Sequence, residues 1–197
     1  EGNILWPSYF HRIAFSSGLP TVHISSGCVY TGYEKAWTEK DEPNFDFTNG
    51  SFYSGCKAMF EKMFRATNVK SYLLRVRMPF GPEPHPKNLL TKLKGYPKLI
   101  NQLQSISNVQ DVAKAAVTMA LHLPPPGVYN CVNPGAVTTA EIAELMGWGK
   151  EYFTPADFRA VTKAPRSECE LSTAKMSEVY KMRTAIDALL DCVKTMT

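Results

Sequence analysis

The 197-residue sequence contains no apolar run approaching the ~20 residues that a bilayer span needs, so a transmembrane reading is excluded at the outset. It has no C-x-x-C, and its five cysteines (28, 56, 131, 169 and 192) are odd in number and widely spaced. Neither a disulfide framework nor a zinc site is indicated, and a reducing, cytoplasmic compartment is expected. There is no basic block: 22 Lys and Arg against 18 Asp and Glu leave a net charge of +4, scattered along the chain. Without clustered cations or aromatic-basic motifs, nucleic acid is not an expected partner. Internal repeats, low-complexity segments and a true linker are also missing. The four histidines are isolated, and His23, inside an apolar run, reads as packed rather than as a ligand, so no metal is expected. No charged stretch followed by an apolar one opens the chain, which argues against a signal peptide. The first residue is Glu1 rather than Met, so the expectation is a piece of a longer protein.

What is present is the composition of a globular α/β chain, 44% apolar and 20% charged with a mean hydropathy of -0.21. The length suffices for one full domain with a sizeable core. Apolar spacing predicts a helix over 4–17, with Gly18 at the left-handed cap position, followed by a short buried strand over 21–24. Residues 31–49 are polar, proline-containing and aperiodic, hence a loop. Helical spacing returns over 50–67, with Phe52, Cys56, Met59 and Met63 as its apolar stripe, and "SYLLRVRM" (71–78) reads as a strand stopped by "PFGPEPHP". Further helices are predicted over 88–93, 111–123 and 138–147, the last opened by a Thr138–Glu141 capping box. "GVYNCVN" (127–133) is a third strand, and the chain beyond Thr173 is mostly helical. Strands alternating with helices imply a parallel sheet covered by helices.

The chemistry-bearing residues are concentrated at two places. "HISSGCVYTGY" (23–33) ends an apolar strand on two hydroxyls and a thiol. "FYSGCKA" then places Tyr53 and Lys57 four apart, on one face of a helix. A phenol of ordinary pKa ~10 is a poor proton donor or acceptor near neutrality, and a neighbouring ammonium lowers that value. A hydroxyl from Ser25 or Ser26 can share the same substrate oxygen. Tyr-x-x-x-Lys alone is also what a solvated helix face looks like; its order, after the Ser-Ser strand and a polar loop and before a strand that ends with arginine close to a proline, raises its weight.

In that order the residues resemble the extended short-chain dehydrogenase/reductases that act on nucleotide sugars, over nearly the whole chain. The resemblance implies a Rossmann-type α/β fold, with Ser26, Tyr53 and Lys57 as its catalytic triad. "SSGCVY", "DEPNF", "GSFYSGCKAM", "LRVRMP", "NLLTKL", "NPGAV" and "APRSECEL" are together most similar to the bifunctional nucleotide-rhamnose synthases. By that resemblance Cys28 and Lys92 carry 3,5-epimerisation. Carbons beside a ketone are acidic, so inversion needs a base on one face and an acid on the other, and a thiol is readily activated beside cations. Asn88 and Arg166 are the implied substrate-binding residues, Arg166 for a nucleotide diphosphate. Tyr53, Lys57 and Pro79 are implied to meet NADPH or NADH. Cys56, Cys131, Cys169 and Cys192 read as core or incidental thiols.

One departure stands out. The family's strand, Gly-x-x-Gly-x-x-Gly, helix opening, which brings a helix N-terminus to a pyrophosphate, does not occur among these residues. The expected organisation is therefore a partial Rossmann-type part over 1–79 and a mostly substrate-binding part over 80–197, with 105–134 returning to the sheet. The expected activity is conversion of a UDP- or dTDP-linked 4-keto-6-deoxyglucose to the rhamnose derivative, with a homodimer as one assembly. Alternatives are a simple nucleotide-sugar 4-reductase, a GDP-sugar epimerase/reductase, or a non-catalytic reductase-like binding subunit.

Overall fold

The computed structural model describes residues 1–67 and 70–196. The first helix, α1 (Leu5–Ser17), stops where Gly18 adopts φ 64° and donates its N–H back to Phe15. A turn then feeds β1 (Val22–Ser26), and after the long loop the chain forms α2 (Phe52–Ala66) and β2 (Tyr72–Val76). The short β3 (Pro79–Phe80) leads to α3 (Leu89–Gly95), followed by β4 (Lys98–Ile100), β5 (Leu103–Gln104) and β6 (Ser107–Asn108). Next come α4 (Val109–His122), β7 (Gly127–Asn130), β8 (Val137–Thr138) and α5 (Thr139–Leu145). The chain ends with β9 (Glu151–Phe153), α6 (Pro155–Val161), α7 (Ala174–Val179) and α8 (Ala185–Met196). No helix among the described residues is long and apolar enough to cross a membrane.

The main sheet is parallel with order β1-β2-β7, Ile24 opposite Leu74 and Leu74 opposite Tyr129. β2 is central and buried on both faces, as its unbroken apolar opening Tyr72-Leu73-Leu74 demands. Alternation divides its packing. Leu73 meets Phe60 and Phe64 of α2, whereas Tyr72 and Leu74 join Ala115 and Met119 of α4 with Met176 of α7. A second core, built from Leu89, Leu90, Leu93, Ile106, Ile142 and Leu189 with their neighbours, holds α3, α5 and α8 together. The capping box of α5 forms as expected, the Thr138 hydroxyl accepting from Glu141 N at 3.1 Å and the Glu141 carboxylate accepting from Thr138 N at 2.6 Å.

Three expectations are corrected. β1 is buried only towards its end, at Ser25 and Ser26: among the described residues it pairs with β2 on one side, and Ile24 is 52% exposed. The apolar stripe of α2 is not the one at Phe52, Cys56, Met59 and Met63, because Phe52 and Met59 lie open to solvent. The buried face instead combines Cys56, Phe60 and Phe64 with the small Ser54 and Gly55 and the ion-paired Glu61. Small and charged residues carry no hydropathy signal, so the periodicity pointed about a third of a turn away. Strand 71–78 is shorter, ending at Val76, because Met78 turns to φ 41° and breaks the extended run.

Candidate functional site

β1 ends on a tight turn. The Ser26 hydroxyl accepts from Cys28 N at 3.1 Å, a local bond that Ser forms readily at strand ends. Gly27 N continues the ladder to Val76 O at 2.9 Å. Only glycine fits at position 27: a Cβ there would lie 2.5 Å from Leu171 Cδ1 and 2.7 Å from Arg77 Cγ. Ser26 is buried, and Cys28 is half-buried at the tip.

α2 begins beside this tip. Ser51 caps it, its hydroxyl accepting from Ser54 N at 3.1 Å, which fixes Tyr53 in the first turn and Lys57 one turn on. The Lys57 ammonium lies 5.7 Å from the centroid of the Tyr53 ring. Burial pushes the Tyr53 phenol above its ordinary value; Ser26 pulls it back in part and Cys28 opposes that. Burial pushes the Lys57 ammonium down.

The tip opens into a cleft of about 760 Å³ bounded by Cys28, Tyr53, Arg77, Lys92 and Arg166. It adjoins a second cleft of about 580 Å³ that shares Arg166 and is walled by Tyr33 and Phe158. Four of the residues singled out in the sequence therefore meet in one space: Cys28 and Tyr53 on one wall, Lys92 from α3, and Arg166 from the loop after α6. Lys57 instead borders a separate groove of about 260 Å³ between α1 and β1. Asn88 is spent on structure. It caps α3, its carboxamide donates to Gly81 O and Glu83 O, both at 2.7 Å, and it does not line the cleft. Pro79 is exposed at the start of β3 and does not line it either. Among the described residues no group of three His, Cys, Asp or Glu side chains is placed to hold a metal ion.

Arg77 was not singled out by the sequence. Arg77 is 1% exposed and borders the cleft beside Cys28, its Nη1 donating to Ser167 Oγ at 2.6 Å and Gly27 O at 3.1 Å. The available signal was its position two residues after Arg75 in an otherwise apolar strand, since a charge in such a strand needs a reason to be buried.

A parallel sheet with helices on both faces, with Ser26 ending one strand, Tyr53 beside it and Lys57 one turn further along the adjoining helix, is the Rossmann-type arrangement of the extended short-chain dehydrogenase/reductase class. Within it, the chain is homologous to the rhamnose synthases. It is 33% identical over 193 residues to a trifunctional UDP-glucose 4,6-dehydratase/UDP-4-keto-6-deoxy-D-glucose 3,5-epimerase/UDP-4-keto-L-rhamnose-reductase of Arabidopsis thaliana, across 87% of this chain and 27% of that protein. It is 32% identical over 183 residues to the bifunctional dTDP-4-dehydrorhamnose 3,5-epimerase/dTDP-4-dehydrorhamnose reductase of the same plant, across 85% of this chain and 59% of that protein. The crystal structure of the L780 UDP-rhamnose synthase from Acanthamoeba polyphaga mimivirus matches it with a TM-score of 0.91 at 26% identity, over 98% of this chain and 71% of the viral one. The chain thus spans between about a quarter and three fifths of the plant relatives' lengths. No family model matches it.

Proposed function

We propose that this chain carries the epimerase and reductase site of a nucleotide-rhamnose synthase, which takes a UDP- or dTDP-linked 4-keto-6-deoxyglucose to the rhamnose derivative. The observation that carries the reading is the charge of the cleft. Arg77, Lys92, Lys98, Lys163 and Arg166 line it, with no Asp or Glu among its described lining, in a chain whose charges are otherwise nearly balanced. Such a space favours a dianionic diphosphate, and Arg166 offers the paired donors that suit one.

In this reading the diphosphate rests against Arg166 and the keto-sugar reaches the strand tip. The Cys28 thiolate takes the proton from C3, and later C5, each acidified by the C4 ketone. Lys92, on the other side of the cleft, returns a proton to the opposite face, and exchange with solvent restores the thiolate and the ammonium between the two steps, so each centre inverts. Tyr53 then protonates the oxygen at C4, with Ser26 orienting the carbonyl. NADPH, or NADH, supplies the hydride to C4 when bound. The chain's residues fit the nicotinamide end of such a cofactor. Lys57 has no ion-pair partner among the described residues and borders an open groove, leaving its donors available to ribose hydroxyls. Tyr53 lies one turn away, and Pro79 follows the tip of β2.

The test is solvent exchange. In D2O the full-length protein is expected to place deuterium at C3 and C5 of the 4-keto sugar, read by mass spectrometry and NMR. Cys28→Ser is expected to lower that exchange at least a hundredfold while reduction of a pre-epimerised ketone survives. Exchange that is unchanged in Cys28→Ser, or absent from the wild type with both nucleotides, overturns the reading.

A further inference from the structure

Among the described residues, three arginine side chains are drawn into ion pairs: Arg75 and Arg65 with Glu61, and Arg183 with Asp111 and Asp191. Arg77 is the contrast. It is as buried as Arg75, yet no carboxylate lies within ion-pair distance of it among the described residues. Apart from its contact with the Cys28 sulfur, its side-chain hydrogen bonds go to neutral acceptors, namely Gly27 O, the side chain and carbonyl of Ser167, and the Gln104 carboxamide, and its Nε has no partner among the described residues. A buried guanidinium left in this state is strongly unfavourable unless an anion completes it.

The geometry supplies one. Arg77 Nη1 lies 3.8 Å from Cys28 Sγ, within the range of a hydrogen bond to sulfur. The other titratable groups about that sulfur are Tyr53 from α2, Cys169 from the segment before α7, and Lys92 from α3 across the cleft. Cys169 is fully buried, so Cys28 is the accessible thiol of the two. Ser167, Gly27 and Gln104 fix the guanidinium from three directions. Its fork is therefore held at Cys28 and is not free to follow a ligand. We infer that Arg77 is a positioning residue: its guanidinium is the built-in counter-ion of a Cys28 thiolate and holds that sulfur at the cleft wall. The inference rests on the reading of Cys28 as the proton-abstracting group, and it gives that group the cation it needs before substrate arrives.

The test reads the thiolate directly. In the full-length protein, the rate of Cys28 alkylation by iodoacetamide is followed against pH by site-resolved mass spectrometry. Thiolate absorbance at 240 nm is taken as wild type minus Cys28→Ser. Arg77→Met is expected to move the alkylation midpoint up by at least one pH unit, a roughly ten-fold slower reaction at neutral pH, and to remove most of the absorbance difference. Arg77→Lys is expected to restore much of both, because a cation returns without the fork. Coincident profiles in wild type and Arg77→Met overturn the inference, as does a wild type without the 240 nm difference at pH 7, which needs no Arg77 variant to fold. Deuterium exchange separates the two readings. An Arg77-dependent thiolate without exchange at C3 and C5 supports the counter-ion and overturns the epimerase alone. Exchange with an Arg77-independent thiolate does the reverse.

Discussion

At the scale of single residues, two imidazoles are packed against aromatic rings, His11 buried and His23 partly so. His11 and His23 meet edge to face, 5.3 Å apart, between α1 and β1, with the rings of Phe60 and Phe64 beside them. Burial, with a smaller contribution from His11, pushes His23 down from 6.5 to about 4, and burial lowers His11 as well. A histidine whose folded value is depressed is neutral in the fold and takes up a proton on unfolding. Its contribution is therefore intact above pH 6.5 and is lost as the pH falls from there towards 4. For His23 alone the upper bound is about 3 kcal/mol, at 1.36 kcal/mol per unit. The expected outcome is a drop in urea midpoint between pH 7 and pH 4.5 that is clearly smaller in His23→Phe than in wild type. Equal drops would show that the imidazole is hydrated in the fold. The sequence reading of His23 as packed follows from its place in an apolar run. That of Tyr53 and Lys57 as neighbours follows from their spacing of four. Arg77 was not legible in the same way, because its surroundings come from Gly27, Gln104 and Ser167, which lie 50, 27 and 90 residues away in sequence.

At the scale of elements, α2 and β2 are tied by charge as well as by apolar contact. The guanidinium of Arg75 grips both Glu61 oxygens, at 2.5 and 2.9 Å, stacks 4.8 Å from the centroid of the Tyr30 ring and donates to Asn130 Oδ1 at 3.1 Å. Glu61 and Arg75 have no exposed side-chain surface, so removing one partner strands the other in the core. Glu61→Ala is expected to destabilise by about 3 to 5 kcal/mol in urea titration. The double change Glu61→Leu with Arg75→Met should recover most of that, since both charges then leave together. A small loss in Glu61→Ala would mean that water reaches the pair. The same pair explains why the covered face of α2 was misread: a buried glutamate counts as polar in any periodicity. The long helices and the three paired strands of the main sheet were legible from spacing, Gly18, the prolines and the capping box. The strands β3, β4, β5, β6, β8 and β9, of two or three residues each, were not. They exist through pairings between distant segments such as Lys98 with Glu151, and so short a run has no period to detect.

At the scale of the whole molecule, the net charge of +4 understates the field a ligand meets, because the cations are not spread evenly in space. Five line the main cleft, where low-dielectric walls concentrate their effect; Arg77 is held at Cys28, which leaves Lys92, Lys98, Lys163 and Arg166 to face a ligand, while the ion-paired Arg65, Arg75 and Arg183 lie elsewhere, neutralised by Glu61, Asp111 and Asp191. Scattered in sequence over positions 77 to 166, these five made no run that reading along the chain could detect. A diphosphate should therefore be recognised largely by charge. UDP is expected to bind more tightly than UMP, and UMP more tightly than uridine, by titration calorimetry. Arg166 and Lys92 stand exposed at the mouth, so their share should be screened by salt. Raising ionic strength from about 0.05 to about 0.5 M, a change in Debye length from roughly 14 to 4 Å, should weaken UDP several-fold and leave uridine nearly unaffected. Arg166→Gln should reduce UDP affinity about ten-fold, or about 1.4 kcal/mol, and flatten the salt dependence. If uridine binds as well as UDP, the nucleoside rather than the diphosphate is the handle, and the cations of this cleft serve a different anion.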